Sequence, residues 1–436
     1  MSALRRSWVV IGLWAVTFLL SLLFPSAGAN GRDIFLNLST MFGCLLIISY
    51  LWARLSLLGL RVTRQLRSHR SQVGKYAEEM LAVENTAPLP KLWLEVRDHS
   101  ELPFHRVSRV VSWLPARQQR SWVVKTPCYR RGHFGLGPIT LYSGDPFGLF
   151  QLKRELELTG SIVVYPVTAD LPAFSPPPGE MSGGSLLRRR THYVTTNVAG
   201  VRDYAPGDSF NRIHWPSSAR TGQLIVKEFE LDPLADVWLF LDMELRVHVG
   251  RPDSLAPDVT LPSVLHVLLE SPGQVTLDPA TEEYSVAIAA SLARHFLDRG
   301  WSVGLITYAR DQRRAIAQAD RGARQLDRLL STLAMVHPLG GVPLAQVLEA
   351  ETVFLTRNSV AMVVTPSVTR ADWAPALRRL MMRGVRTGAV VIDPASFVAG
   401  SAAPEDAEAV AASLAANRVP CYMVRAGDRL QDVLQA

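Results

Sequence analysis

The chain has 436 residues, 48% hydrophobic and 19% charged, with a formal net charge of +7. Eight of its 46 basic residues, all arginine, and one of its 39 acids lie in residues 1–70, which leaves 38 of each and a neutral remainder. A neutral body argues against binding to phosphate backbones, so no nucleic-acid partner is expected, and the length allows two or three domains.

Residues 7–24 form an uncharged run of 18, and residues 34–53 a second, with apolar character continuing to Leu60. Each is long enough to cross a hydrocarbon core of about 30 Å as a helix. The first run is long for a cleaved signal peptide, and a second apolar segment follows at once. A short polar turn, residues 25–33, joins the two into an antiparallel membrane α-hairpin. Arg5 and Arg6 precede the first span; Arg54, Arg61, Arg64, Arg67 and Arg70 follow the second; the turn carries only Arg32, beside Asp33. The positive-inside rule then puts both ends and the soluble domains in the cytoplasm, with the cell membrane as location and the lipid bilayer as a partner. Trp8, Tyr50 and Trp52 stand where interfacial aromatics are expected. Arg61, Arg64, Arg67 and Arg70 recur every third residue, the spacing of one face of a juxtamembrane helix continuing to residue 70. The ordinary reading of this face is a solvated helix end carrying a topology signal; the alternative is lipid recognition, where near anionic headgroups each arginine would contribute about 1 kcal/mol.

Residues 71–170 read as short alternating strands, among them LWLEVRD, RVVSWLP, SWVVKTP, PITLYS and SIVVYP, separated by turn residues. This spacing predicts an all-β sandwich of immunoglobulin-like form. His133 sits at a strand edge, where a lone histidine is packed and hydrogen-bonded rather than a ligand. Cys44, Cys128 and Cys421 lie far apart with no C-x-x-C, so neither a zinc site nor a disulfide framework is expected.

Residues 171–232 begin with a linker, SPPPGEMSGG, followed by the densest polar stretch of the chain, GVRDYAPGDSFNRIHWPSSARTGQLIVKEFE. It holds Arg202, Asp203, Tyr204, Pro206, Gly207, Asp208, Arg212, His214, Trp215, Ser218, Arg220 and Glu228. Pro206-Gly207 suits a type II turn, and Asp208 suits the N-cap of a short helix through His214. Thr221-Gly222 reads as a second turn leading into a strand. Asp208, His214 and Ser218 supply triad residue types without a nucleophile elbow, so no catalytic residue is assigned. His192, Asp203, Asp208 and His214 are the alternative metal donors. Two readings stay open: an internal lock, with Arg202, Arg212 and Arg220 paired to Asp203, Asp208, Glu228 and Glu230, or a docking surface for a partner.

Residues 233–436 change period. Buried strands such as DVWLFLD, WSVGLITYA, SVAMVVT and VRTGAVVID alternate with amphipathic helices, the pattern of an α/β domain whose parallel sheet is covered on both faces.

The N-terminal hairpin, the run R-x-Y-x-P-G-D…R-x-I-H-W…S-A-R-x-G…L-x-V-K-E-x-E and the α/β domain together resemble the family catalogued as domain of unknown function 58. Pro216 departs from its pattern, in place of a longer residue, and is expected to bend the chain after Trp215. The resemblance implies that residues 233–436 form a von Willebrand factor A-like (Rossmann-like) domain. Such domains hold a metal with D-x-S-x-S, a threonine and an aspartate at the sheet's carboxyl edge. Here Asp242 remains, but Asp242-Met243-Glu244-Leu245-Arg246 lacks both serines, Val342 replaces the threonine and Pro366 the aspartate. Magnesium needs several oxygen donors, so no metal and no cofactor are expected unless Glu244 or Asp393 completes a non-standard site. The resemblance further implies a non-enzymatic, membrane-anchored scaffold working with a MoxR-type AAA+ ATPase. A metal-dependent adhesion-type module and a membrane-bound hydrolase are the alternatives.

Overall fold

A computed structural model describes residues 3–23, 28–175, 198–205, 213–229, 236–250, 277–308, 314–357, 359–369, 371–398 and 405–434. They divide into two compact units, one built mainly on Met1–Val167, the other on Thr168–Asp258, Thr276–Thr332 and Val336–Ala436.

The first unit opens with helices α1 (Ala3–Leu23) and α2 (Gly28–Leu57), which pack on each other. Trp14 of α1 lies against Gly43 of α2, where a Cβ would come within 3.1 Å of the indole nitrogen. Asp33–Leu57 is long and apolar enough to cross a membrane; Ser7–Leu23 is a shorter apolar helix. Ten strands follow: β1 (Leu60–Leu66), β2 (Arg70–Gln72), β3 (Tyr76–Asn85), β4 (Leu94–Asp98), β5 (Arg109–Val111), β6 (Gln119–Pro127), β7 (Gly132–Leu136), β8 (Ile139–Gly144), β9 (Gln151–Leu156) and β10 (Gly160–Tyr165). They form sheets of order β1-β3-β6, β5-β4-β8-β9 and β2-β10-β7. One apolar core joins the first two sheets, with Leu60, Val62, Leu81, Val83 and Trp122 from one and Leu94, Val96, Ile139 and Leu141 from the other.

The expected helix through Arg61, Arg64, Arg67 and Arg70 is corrected. The helix stops at Leu57, Gly59 turns with φ 67°, and residues 60–66 pair with β3. A Cβ on Gly59 would meet Ala87 at 2.9 Å, and only glycine takes that backbone conformation freely. Leu60 and Val62 point inward while Arg61 and Thr63 point out, so the alternation of a strand overrides the three-residue arginine spacing. Arg64 does not face headgroups. It is buried and paired with Glu79 (2.6 Å) and Asp98, with His105 3.0 Å from Glu79.

The second unit holds β11 (Val198–Asp203), α3 (Trp215–Thr221), β12 (Ile225–Phe229), β13 (Asp236–Leu241), α4 (Thr281–Asp298), β14 (Ser302–Tyr308), β15 (Arg314–Asp320), α5 (Ala323–Met335), α6 (Leu344–Ala350), β16 (Val360–Thr365), α7 (Ala374–Met382), β17 (Arg386–Ile392), α8 (Glu405–Ala416), β18 (Cys421–Val424) and α9 (Leu430–Val433). Six strands make one sheet, β15-β14-β13-β16-β17-β18, parallel throughout except for antiparallel β15 at an edge. β13 and β16 are buried along almost their whole length, as strands covered on both faces must be. On one face Trp238, Phe240, Val363 and Val391 meet Leu348, Leu377, Leu380 and Leu414 from α6, α7 and α8. On the other lies α4, buried on nearly every side against β13, β14, β16 and β17.

Candidate functional site

The polar signature folds as a strand pair carrying a short helix. β11 and β12 run antiparallel, with Arg202 opposite Val226 and Asp203 opposite Ile225. Tyr204 N–H donates to Leu224 O (2.8 Å) and His214 N–H to Ile225 O (2.8 Å), so the chain on both sides of residues 206–212 is tied to β12. Helix α3 starts one residue after His214; the expected short helix from Asp208 falls on residues 208–212, which lie outside the described residues, while Ile213 and His214 are not helical. Pro216 falls in the first turn of α3, where a missing N–H leaves no bond unmade, so this residue starts the helix instead of bending the chain. Gly222 closes it in the left-handed conformation (φ 73°), its N–H donating to Ser218 O.

Ser218 is the pin of this arrangement. Its buried hydroxyl accepts from Ile225 N–H (2.9 Å) and donates to His214 O (3.1 Å), joining α3 to β12. The ring of His214 turns to Ser217 instead, with Nδ1 2.7 Å from Oγ. The Ser218–His214 pair of the hydrolase alternative is therefore not formed. Trp215 is 63% exposed, and Val201, Leu224 and Arg220 are exposed with it. Asp203 is exposed and Tyr204 half-buried, both with partners. Arg202 and Glu228 hold ladder positions opposite Val226 and Gly200. His192, Pro206, Gly207, Asp208, Arg212 and Glu230 lie outside the described residues.

The second candidate lies at the carboxyl edge of the six-stranded sheet, where β13, the strand at which the order reverses, ends at Leu241. Open α/β sheets bind ligands at that place. Asp242 is buried there. Its Oδ2 accepts from Thr365 Oγ1 (2.6 Å) and its Oδ1 from Glu244 N–H (3.1 Å). Thr365 Oγ1 in turn accepts from Ser367 N–H (2.9 Å), and the Asp242 carbonyl oxygen is 3.0 Å from His248 Nε2. Burial raises the Asp242 carboxyl to about 6, against the opposing pull of the bonds from Thr365 and Glu244. Asp393, at the end of β17, caps its own turn by accepting from Ala395 N–H (3.0 Å), and Arg425 lies 3.9 Å away. Among the described residues no three His, Cys, Asp or Glu side chains are arranged to hold a metal ion. Arg246 is exposed beside this edge. Thr365 and Ser217 are partners that residue patterns did not single out. His133 is exposed on β7.

An apolar N-terminal helix pair, a sheet-rich unit and an open α/β sheet accompanied by a helix-bearing strand pair define the class of this chain. The family model described as "Protein of unknown function DUF58" matches residues 200–255, which supports that family. The uncharacterized protein YeaD of Bacillus subtilis (strain 168) is 25% identical over 255 residues, 55% of this chain and 62% of that protein, and supports it as well. The match thus spans less than two thirds of that relative. Among solved structures, the CARDB domain of the PF1109 protein from Pyrococcus furiosus overlaps 24% of this chain and 91% of its own, at 16% identity and a TM-score of 0.19. The alkylpurine DNA glycosylase AlkC of Pseudomonas fluorescens overlaps 36% of this chain and 46% of its own, at 15% identity and a TM-score of 0.17. Overlaps with such scores carry no argument about fold or activity.

Proposed function

We propose that this chain is a non-enzymatic, membrane-anchored scaffold whose β11–α3–β12 segment docks a protein partner, a MoxR-type AAA+ ATPase. The observation that carries the reading is the contrast within α3. Ser218 is buried and fixes the helix to β12, while Trp215 and Arg220 stand in solvent on that fixed frame. Exposed tryptophan and arginine on a rigid element are the side chains that dominate binding energy at interfaces. In this reading α1 and α2 are a two-helix membrane anchor, with both termini and the soluble domains cytoplasmic. The β-stranded unit is an immunoglobulin-like sandwich. The α/β domain is von Willebrand A-like, supported by a strand order that reverses at β13 and by the antiparallel edge strand β15. Its sheet-edge position at Asp242 is a degenerate metal site that holds no metal: the serines, threonine and aspartate that would complete the donor set are replaced, and both Asp242 oxygens accept protein hydrogen bonds.

The test is capture from membranes. The wild-type chain retains the ATPase, and Trp215→Ala with Arg220→Ala weakens retention by about 100-fold, the effect of losing two hot-spot side chains at about 1–2 kcal/mol each. Unchanged retention, or no ATPase from wild type, overturns the reading. The metal-dependent alternative is favoured only by the position of Asp242 at the sheet edge. Calorimetric magnesium binding abolished by Asp242→Ala would establish it instead.

A further inference from the structure

The loops of the first unit differ sharply between its two ends. Register places one end unambiguously. Leu60, the first residue of β1, pairs with Asn85, Glu84 pairs with Gln119, Leu94 with Val111 and Ser143, and Gly144 with Gln151. Residues 86–93, 112–118 and 145–150 therefore gather at the end where α2 enters, together with Leu58 and Gly59. Within residues 58–165, the large apolar side chains exposed in loops are Leu58 (55%), Leu89 (48%), Trp113 (49%) and Phe147 (58%), all at this end. These loops present no exposed acid and one exposed cation, Arg117. The opposite end presents Arg67, Arg70, Lys75, Glu101, Arg106 and Glu157.

The apolar end is built rigidly and joined to the helix. Lys91, buried, donates to Leu55 O (2.6 Å), and Arg154 donates to Leu57 O (3.4 Å), so two cations cap the carboxyl end of α2. Tyr50 of α2 meets Phe150 edge to face at 5.7 Å. Asn85 bonds Leu89 O (2.9 Å) and Pro115 O (3.0 Å), tying two loops together. Asp145 accepts from Phe147 N–H (2.9 Å) and Phe150 N–H (2.6 Å), fixing the third. Four apolar side chains thus stand out from stiff loops around the exit of an apolar helix. Solvent gives them no partner, whereas the interfacial layer of a bilayer takes tryptophan, phenylalanine and arginine together.

We propose that this end of the β-stranded unit is a seat on the bilayer surface, with Leu58, Leu89, Trp113 and Phe147 in the interfacial layer and Arg54 and Arg117 against anionic headgroups. The seat rests on the reading of α2 as membrane-spanning. It fixes the height and tilt of the unit above the membrane, and leaves the charged end facing away.

The experiment uses the full chain in vesicles of phosphatidylethanolamine and phosphatidylglycerol. In a Cys44→Ser background, which removes the exposed native thiol, single variants Leu89→Cys, Trp113→Cys, Phe147→Cys, Ile47→Cys and Arg106→Cys carry an NBD fluorophore. A spin-labelled lipid with its nitroxide near the headgroup is the quencher. The seat predicts loss of emission at 89, 113 and 147, and none at 106. If 47 is quenched while 89, 113 and 147 behave like 106, the seat is wrong and the anchor stands. If 47 also escapes quenching by acyl-chain nitroxides, the anchor reading fails with it. Unquenched 113 that cross-links two copies of the chain would make the patch a self-contact and also overturn the seat.

Discussion

Replacing Asp242 by asparagine tests the metal-free reading of the sheet edge quantitatively. The carboxyl is raised from its ordinary 3.8 to about 6 by burial. A folded value above the unfolded one means the fold prefers the proton. The contribution is therefore fully present below about pH 3.8 and is lost as pH rises through about 6. A difference of about two units corresponds to about 3 kcal/mol of strain from the ionised group above that range. Asparagine keeps an acceptor for Thr365 Oγ1 but loses the bond from Glu244 N–H, a cost of about 1 kcal/mol. Asp242→Asn should thus stabilise the sheet by about 2 kcal/mol at about pH 7.5 and bring no gain at about pH 4. The assay is amide hydrogen exchange of β13 and β16 in the full chain, where 2 kcal/mol appears as roughly 30-fold slower exchange at the higher pH. Faster exchange in the variant at the higher pH would refute the reasoning. So would slowing of wild-type exchange by magnesium that the variant does not show.

Ser218→Ala leaves Ile225 N–H without its hydroxyl partner in a buried setting and should cost about 1–3 kcal/mol, read as faster exchange confined to α3 and β12. Arg64→Met strands Glu79 and Asp98 as buried carboxylates and should destabilise the first unit by about 3–5 kcal/mol, measured by urea denaturation. Lys91→Met removes a cation from the end of α2 and should cost about 0.3–2 kcal/mol, with added salt narrowing the difference only slightly because the group is buried.

Patterns that repeat within one element were legible in the sequence. The unbroken apolar runs of β13 and β16 announced strands buried on both faces, and the structure places helices over each face. Residues 60–70 carried two periods at once. Leu60 and Val62 spell a strand, and the arginines spell a helix face. The contest was decided by partners far along the chain, Glu79 and Asp98, which no local pattern reveals. At α3 a proline in the first turn marks where the helix begins, directly after His214. The contact between Asp242 and Thr365 joins residues 123 apart and depends on the sheet order bringing β13 beside β16. The choice of Ser217 over Ser218 as the partner of His214 is a matter of side-chain direction at a helix start, below the resolution of residue spacing.

Whether the signature holds this protein to a partner or only holds itself together is decided most directly by photo-crosslinking in native membranes. A photoreactive amino acid is placed at Trp215, with Met382, also open to solvent, as the control position. The docking account predicts an adduct between position 215 and the MoxR-type ATPase, and none from position 382. Adducts from position 215 confined to this chain's own residues would contradict it and establish an internal lock.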